Sequence, residues 1–273
     1  MQLKNYPGAI NAYNKVLSID NLQVDVLSNR ALAFINEQKY DLAKKDITRA
    51  LEDDPNNGQL LYNLALCQTK TNQKDQALIT YNQLIMLDYK TPVAAKQKGK
   101  ILVEQEEYSK ASAAFDKAIR YAEDDFELFY LRGYCKLKMD DLASANLDFD
   151  RSIKLNNEYK PSILNKAYTS YKLEKYDEAV EDFTRVLDIN PNDKDTRVNR
   201  GLSALQLKDY ERAYADFSNV IEIDETNAIA YYNRANAAIG LSQMDQACAD
   251  MREAAKLGYN NAFDHIRQVC GDN

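Results

Sequence analysis

The feature that most constrains this chain is a period of 34 residues. Steps of 34 from Ala179 land on alanine each time, at Ala9, Ala43, Ala77, Ala111, Ala145, Ala213 and Ala247, with no insertion or deletion. Four residues beyond each anchor stands a large side chain: Tyr13, Ile47, Tyr81, Phe115, Phe149, Phe183, Phe217 and Met251. Twelve residues before it stands a small one: Ala31, Ala65, Gly99, Gly133, Ala167, Gly201 and Ala235. Small residues at facing points let two helices approach closely, and a bulky residue one turn further fills the gap beyond. Residues 160–193 show the pattern whole: two short amphipathic stretches, a tight turn, and an exit marked by Pro191. A strict period of this length means that each repeat buries its apolar face against its neighbours.

When each repeat is numbered from 1 to 34, the small residue falls at position 8, the alanine at 20 and the large residue at 24. Position 17 is tyrosine in Tyr6, Tyr40, Tyr108, Tyr176 and Tyr210, and the sixth repeat adds Val186 at 27 and Pro191 at 32. The pattern resembles the tetratricopeptide repeat over nearly the whole chain. It departs from that family at position 32, where only Pro55 and Pro191 remain, and at position 4, which lacks tryptophan and holds Leu27, Leu61, Ala95, Phe129, Ile163, Arg197 and Tyr231. The resemblance implies an all-α fold, a right-handed superhelical solenoid of stacked antiparallel helix pairs. One solenoid is expected over residues 1–273, with a half repeat at 1–23 and full repeats at 24–57, 58–91, 92–125, 126–159, 160–193, 194–227 and 228–261. Gly258 is a glycine stop, and Asn261 is a cap for a closing helix from 262 to about 269, within a capping helix and tail at 262–273. The first repeat starts at its position 12, which reads as a truncated or processed chain and leaves Ala9, Tyr13 and Val16 without their first helix.

Charge and composition narrow the function. A formal net charge of −7 argues against a nucleic-acid or anionic-membrane partner, which calls for a basic face. No apolar run approaches the ~20 residues that span a bilayer. The single histidine, His265, reads as a surface residue of the closing helix, and no metal, phosphate-loop or nucleophile-elbow spacing occurs. No catalytic residue, cofactor or metal is therefore expected. Cys67 and Cys135 share position 10 of alternate repeats and read as small core residues. Cys248 and Cys270 leave two readings open: a disulfide if their helices fold together, or two thiols. The location is likewise open: cytoplasmic, or periplasmic or exported if an N-terminal signal has been removed.

Positions 7 and 23 vary together. Arg30 goes with Asp46, Arg132 with Asp148, Lys166 with Asp182, Arg200 with Asp216 and Arg234 with Asp250, while the third repeat loses both charges together in Leu64 and Thr80. The fourth repeat keeps Lys98 but has Ala114. Both positions flank the helix–helix seam, so ion pairs bridging the helices of one repeat or of neighbours are expected.

The resemblance also implies where a partner sits. In this family first helices line a concave face, with positions 5 and 9 turned into it. Here those positions include Tyr62, Lys96, Lys100, Tyr130, Tyr134 and Tyr168. Lysines offer cations, and tyrosines offer rigid contact area with a hydroxyl handle, a combination suited to an acidic or carboxylate-ended peptide. The lysine–asparagine and lysine–arginine sets of the chaperone-tail clamp are not in register, so that partner is not expected. The expected function is a non-catalytic protein–protein interaction scaffold or adaptor. Two alternatives are the regulatory arm of a larger enzyme, and an assembly factor that self-associates through its N-terminal half repeat.

Overall fold

Short polar side chains start many of the helices. Asn57, Asp193 and Asn227, at position 34, accept hydrogen bonds from the backbone N–H groups of Leu60, Thr196 and Ala230 at 3.1, 3.1 and 3.0 Å. Asp141 and Asp209 do the same for second helices, through Ser144 and Arg212 at 3.2 Å each. Each cap satisfies a donor that the first turn leaves without an intrahelical partner. A computed structural model describes residues 5–21 and 23–270, apart from the side chains of Gln268 and Val269.

Among the described residues there are sixteen α-helices and no strand. They run α1 Tyr6–Ile19, α2 Val24–Asn36, α3 Tyr40–Ala50, α4 Gly58–Lys70, α5 Lys74–Met86, α6 Thr91–Glu104, α7 Tyr108–Ile119 and α8 Phe126–Lys138. There follow α9 Leu142–Leu155, α10 Lys160–Lys172, α11 Tyr176–Ile189, α12 Lys194–Gln206, α13 Tyr210–Ile223, α14 Ala228–Gly240, α15 Met244–Lys256 and α16 Asn260–Cys270. First and second helices of a repeat are joined by a turn with one left-handed residue, at Gln38, Asn72, Glu106, Asp140, Glu174, Lys208 and Ser242, with φ between 58° and 62°. The residue after it folds back onto the helix, as in Lys39 N–H to Phe34 O at 2.8 Å and Lys175 N–H to Ser170 O at 2.9 Å. Glycine usually fills such a cap, and none of these seven is glycine.

The chain divides into two compact units, Met1–Cys135 and Lys136–Asn273. Within the first, each helix from α1 to α7 packs on the next; within the second, the helices from α9 to α16 do so. Each unit is a stack of antiparallel helix pairs. First helices also touch across one repeat, α2 with α4 in the first unit, and α10 with α12 and α12 with α14 in the second. That layering puts first helices side by side on one face. The core follows the period: every anchor alanine from Ala43 to Ala247 is fully buried, and so are Ile47, Phe115, Phe149, Phe183, Phe217 and Met251. In α1 the same positions are looser. Ala9 and Tyr13 are half-buried and Val16 is exposed, while Ile10 and Leu17 pack into the core.

The last repeat closes on Gly258, whose φ of +91° suits a residue without Cβ. The closing helix begins at Asn260, so Asn261 lies inside its first turn and does not cap it. The reason is local: Tyr259 N–H folds back to Ala254 O, and Tyr259 O already accepts from Ala262 N–H. Cys248 of α15 and Cys270 of α16 are joined by a disulfide with Cα atoms 5.4 Å apart, across a separation of 22 residues. Closing a loop of that size limits the unfolded chain and stabilises by about 3 kcal/mol. It ties the terminal helix down on the helix before it.

Candidate interaction site

In the first compact unit the strip of first-helix residues is Tyr62 on α4, Lys96 and Lys100 on α6, and Tyr130 and Tyr134 on α8, all half-buried. The two lysines differ from the sequence expectation of exposed cations awaiting an acidic partner. Lys96 Nζ lies 2.7 Å from Asp125 Oδ2 and 2.7 Å from Glu127 Oε2, and Lys100 Nζ lies 2.6 Å from Glu127 Oε1. The physical reason is the acidic start of the following first helix, which faces positions 5 and 9 of the helix before it. Burial pulls the Lys96 ammonium down, but its hydrogen bonds to Asp125 and Glu127 outweigh that and hold the group above its ordinary value. Burial pushes the Glu127 carboxyl up, and hydrogen bonds from Lys100 and Lys96 outweigh it in turn and hold it below. Two cations and two carboxylates balance, so this patch is pinned and carries no surplus positive charge.

The tyrosines are braced as well. The Lys90 ammonium stands 4.1 Å from the centroid of the Tyr62 ring, a cation–π distance. Tyr89 donates its hydroxyl to Gln59 Oε1 at 2.8 Å beside it. Tyr134 meets Tyr108 edge to face at 6.4 Å. Lys90 and Tyr89 lie in the turn before α6, outside positions 5 and 9, which is why the sequence did not single them out. Tyr168 belongs to the second unit. It is 39% exposed, with the Lys172 ammonium 5.5 Å from its ring. It borders a pocket of about 340 Å³ shared with Leu164, Asn165, Asp193, Asp195 and Asn199.

The charged pairs at positions 7 and 23 form a ladder along the helix seam. Arg30 forks onto Asp46 at 2.7 and 2.7 Å, Arg200 onto Asp216 at 2.8 and 2.6 Å, and Arg234 onto Asp250 at 2.8 and 2.7 Å. Lys166 meets Asp182 at 2.9 Å. Hydrogen bonding to the three aspartates holds the Arg30, Arg200 and Arg234 guanidiniums above their ordinary value. Arg132 and Asp148 fall in different compact units: Arg132 donates to Asp116 at 2.7 Å in the first, and Lys136 meets Asp148 at 2.8 Å in the second.

A second set of partners escaped the sequence. Five of the six position-7 cations also donate to a residue sixteen positions earlier, on the second helix of the preceding repeat, and the sixth, Lys166, comes within 4.0 Å of Asp150 there. The partners are Asn14 for Arg30, Asn82 for Lys98, Asp116 for Arg132, Thr184 for Arg200 and Ser218 for Arg234. The ladder therefore links neighbouring repeats as well as the two helices of one. In the third repeat, Thr80 instead donates to Gln68 Oε1 and to the Gln76 carbonyl at 2.8 and 3.0 Å.

His265 is half-buried on the closing helix and leans on aromatic neighbours. Its ring stacks on Tyr232 at 5.7 Å, with Nδ1 2.8 Å from the Tyr232 hydroxyl, and Tyr259 packs against the Tyr232 ring at 4.8 Å. Cys67 and Cys135 are fully buried, and burial pushes their thiols up to about 11 and about 12, which removes them as nucleophiles at neutral pH. Among the described residues no helix is long and apolar enough to cross a membrane.

Stacked helix pairs with a fixed period and a shared face of first helices define a helical-repeat interaction scaffold. The chain belongs to the tetratricopeptide repeat family, whose models match residues 34–101, 96–158, 162–193, 195–227 and 228–260. Sperm-associated antigen 1 of Homo sapiens is 32% identical over 85 residues, covering 31% of this chain and 9% of that protein. A DnaJ homolog subfamily C member 7 homolog of Dictyostelium discoideum is 33% identical over 91 residues, covering 32% of this chain and 17% of its own. The chain thus spans less than a fifth of these curated relatives. Among solved structures, the C-terminal part of a TPR repeat-containing protein from Cytophaga hutchinsonii superposes with a TM-score of 0.69 at 19% identity, over 84% of this chain and 94% of its own. YrrB, described as a TPR protein with an unusual peptide-binding site, gives 0.61 at 24% identity over 67% and 95%. These likenesses carry the fold.

Proposed function

We propose that this chain is a non-catalytic scaffold or adaptor that holds a peptide or protein partner along the face of its first helices. The observation that carries the reading is the tyrosine strip Tyr62, Tyr130 and Tyr134, with Tyr62 and Tyr134 braced by their neighbours, around a charge-balanced Lys96–Lys100–Asp125–Glu127 cluster. Side chains already held in place lose little freedom on binding, so contact area converts to affinity more efficiently. The balanced cluster favours a partner gripped by aromatic contact and hydrogen bonds over one captured by charge. Affinity purification with the whole chain tests this. The partners retained by the wild type are expected to be lost by the Tyr130→Ala/Tyr134→Ala variant and kept by Lys96→Met/Lys100→Met, with helical circular dichroism unchanged in both. Identical captures by wild type and the tyrosine variant count against the reading.

A second reading is favoured by α1. Its face leaves a pocket of about 420 Å³ lined by Tyr6, Ala9, Tyr13, Leu32 and Ala33, with Ile19 90% exposed at its end. We propose self-association there, and light scattering with and without residues 1–22 measures it. A mass that is unchanged by the deletion, beyond the residues removed, rules it out.

A further inference from the structure

The ladder of cations is broken at one rung. At position 7 of the second, sixth, seventh and eighth repeats, the cation meets an aspartate sixteen residues later, on the second helix of its own repeat. Those aspartates, Asp46, Asp182, Asp216 and Asp250, are 6, 3, 2 and 3% exposed. In the fourth repeat the corresponding residue is Ala114. Lys98 keeps only its neutral partner in the preceding repeat, Asn82 Oδ1 at 2.7 Å. Burial, with the nearby Lys117 charge, pulls the Lys98 ammonium below its ordinary value. A half-buried cation with no carboxylate beside it is the state that the other repeats avoid.

Space opens where the carboxylate is lacking. A pocket of about 750 Å³ lies between α5, α6 and α7, and Lys98 and Ala114 both line it. Its apolar wall is Leu78, Ile85, Met86 and Leu102, and Met86 is 85% exposed. Lys110 and Lys117 add two further cations, and the one acidic residue lining the pocket, Glu107, is paired with Lys110. The lining therefore carries three positive charges and one negative, in a chain whose formal net charge is −7. On the α5 side the lining residues are Leu78, Asn82, Ile85 and Met86, none of them a carboxylate. On α6, Lys98 lies two residues from both Lys96 and Lys100, which is about 200° around the helix and hence on its other side.

We propose that this pocket is a docking site for a partner-protein segment that carries one carboxylate among apolar residues. The carboxylate enters beside Ala114 and meets Lys98 as the aspartates of the other repeats meet their cations, while the flanking side chains cover Leu78, Ile85 and Met86. The site shares no residue with the tyrosine strip and stands or falls independently of it. A charge-assisted hydrogen bond in a partly dry pocket is stronger than one in water, so the carboxylate supplies specificity and the apolar wall supplies area.

The test uses fluorescein-labelled hexapeptides with a central glutamate flanked by Leu, Ile or Met, and the same peptides with glutamine, titrated by anisotropy against the whole chain. The expected result is a glutamate peptide that binds at least tenfold tighter than its glutamine twin. Ala114→Asp gives the chain its own carboxylate, so it is expected to remove that preference while the thermal midpoint holds or rises. Lys98→Met is expected to remove the preference as well, and Tyr130→Ala/Tyr134→Ala to leave it intact. The proposal is overturned by a wild type with no glutamate preference in any peptide, or by a preference that survives Lys98→Met. A preference that survives Ala114→Asp in a folded chain overturns it equally.

Discussion

Replacing Arg234 with leucine is expected to cost about 3 kcal/mol of stability, the lower end of the range for breaking a buried ion pair from one side. The basis is the asymmetry between making a buried pair and stranding one of its members. Asp250 is 3% exposed and accepts from Arg234 through both oxygens, at 2.7 and 2.8 Å. Without the guanidinium it keeps one hydrogen bond, from Gln246 Nε2 at 2.9 Å, and little access to water. The cost stays at the low end because the Arg234 side chain is itself 16% exposed, so solvent already screens part of the attraction. Adding Asp250→Thr is expected to recover more than half of the loss. The third repeat is the precedent: it holds Leu64 and Thr80 at these positions, and the Thr80 hydroxyl is satisfied by the Gln76 carbonyl four residues back. Gln246 stands in the same relation to position 250. Urea unfolding followed by far-ultraviolet circular dichroism measures the wild type and both variants, with the denaturant slope checked for constancy. A single substitution that costs less than ~1 kcal/mol places the pair among ordinary surface ion pairs.

What could be read in advance follows from what repeats. A 34-residue spacing of Ala, aromatic and small residues is a statement about helix contact, and seven full repeats make it unambiguous. The ladder at positions 7 and 23 was legible because its residue types change together, Arg30 with Asp46 against Leu64 with Thr80. Its other half was not, because the partner sixteen residues earlier is Asn14, Asn82, Asp116, Thr184 or Ser218. All are acceptors, but they share no charge, so a search for paired charges passes over them. The left-handed residue of each turn was hidden for a similar reason: Gln38, Glu106 and Lys208 adopt it under the demand of the backbone, and no glycine marks the place. Lys96 and Lys100 looked available in sequence because their neutralising carboxylates, Asp125 and Glu127, belong to the start of the next first helix. The bond between Cys248 and Cys270 depended on how α15 and α16 fold back, which spacing alone leaves open.

The seam between the two helices of a repeat offers the sharpest test of packing. Phe115→Ala is expected to cost about 4 kcal/mol, the usual price of emptying a fully buried aromatic site. Phe115 is fully buried and clusters with Ala95, Leu102, Ala111, Ala118 and Leu128. Its ring lies directly against Gly99: a methyl group built there would sit 2.4, 2.7 and 2.8 Å from ring atoms Cε1, Cζ and Cδ1. Gly99→Ala in the wild-type background is therefore expected to destabilise by about 1–2 kcal/mol, overpacking outweighing the gain in helix propensity. In the Phe115→Ala background the same methyl enters vacated space, and the propensity gain of about 1 kcal/mol is no longer opposed. One substitution thus changes sign with the residue opposite it, a coupling that a double-mutant cycle reads directly. Ala65 beside Tyr81 and Ala167 beside Phe183 show that a methyl is tolerated at this position where the helices are set to receive it. The close approach in the fourth repeat is what forbids it there. Additive costs for Gly99→Ala and Phe115→Ala would mean that the ring and the glycine do not fix the distance between α6 and α7.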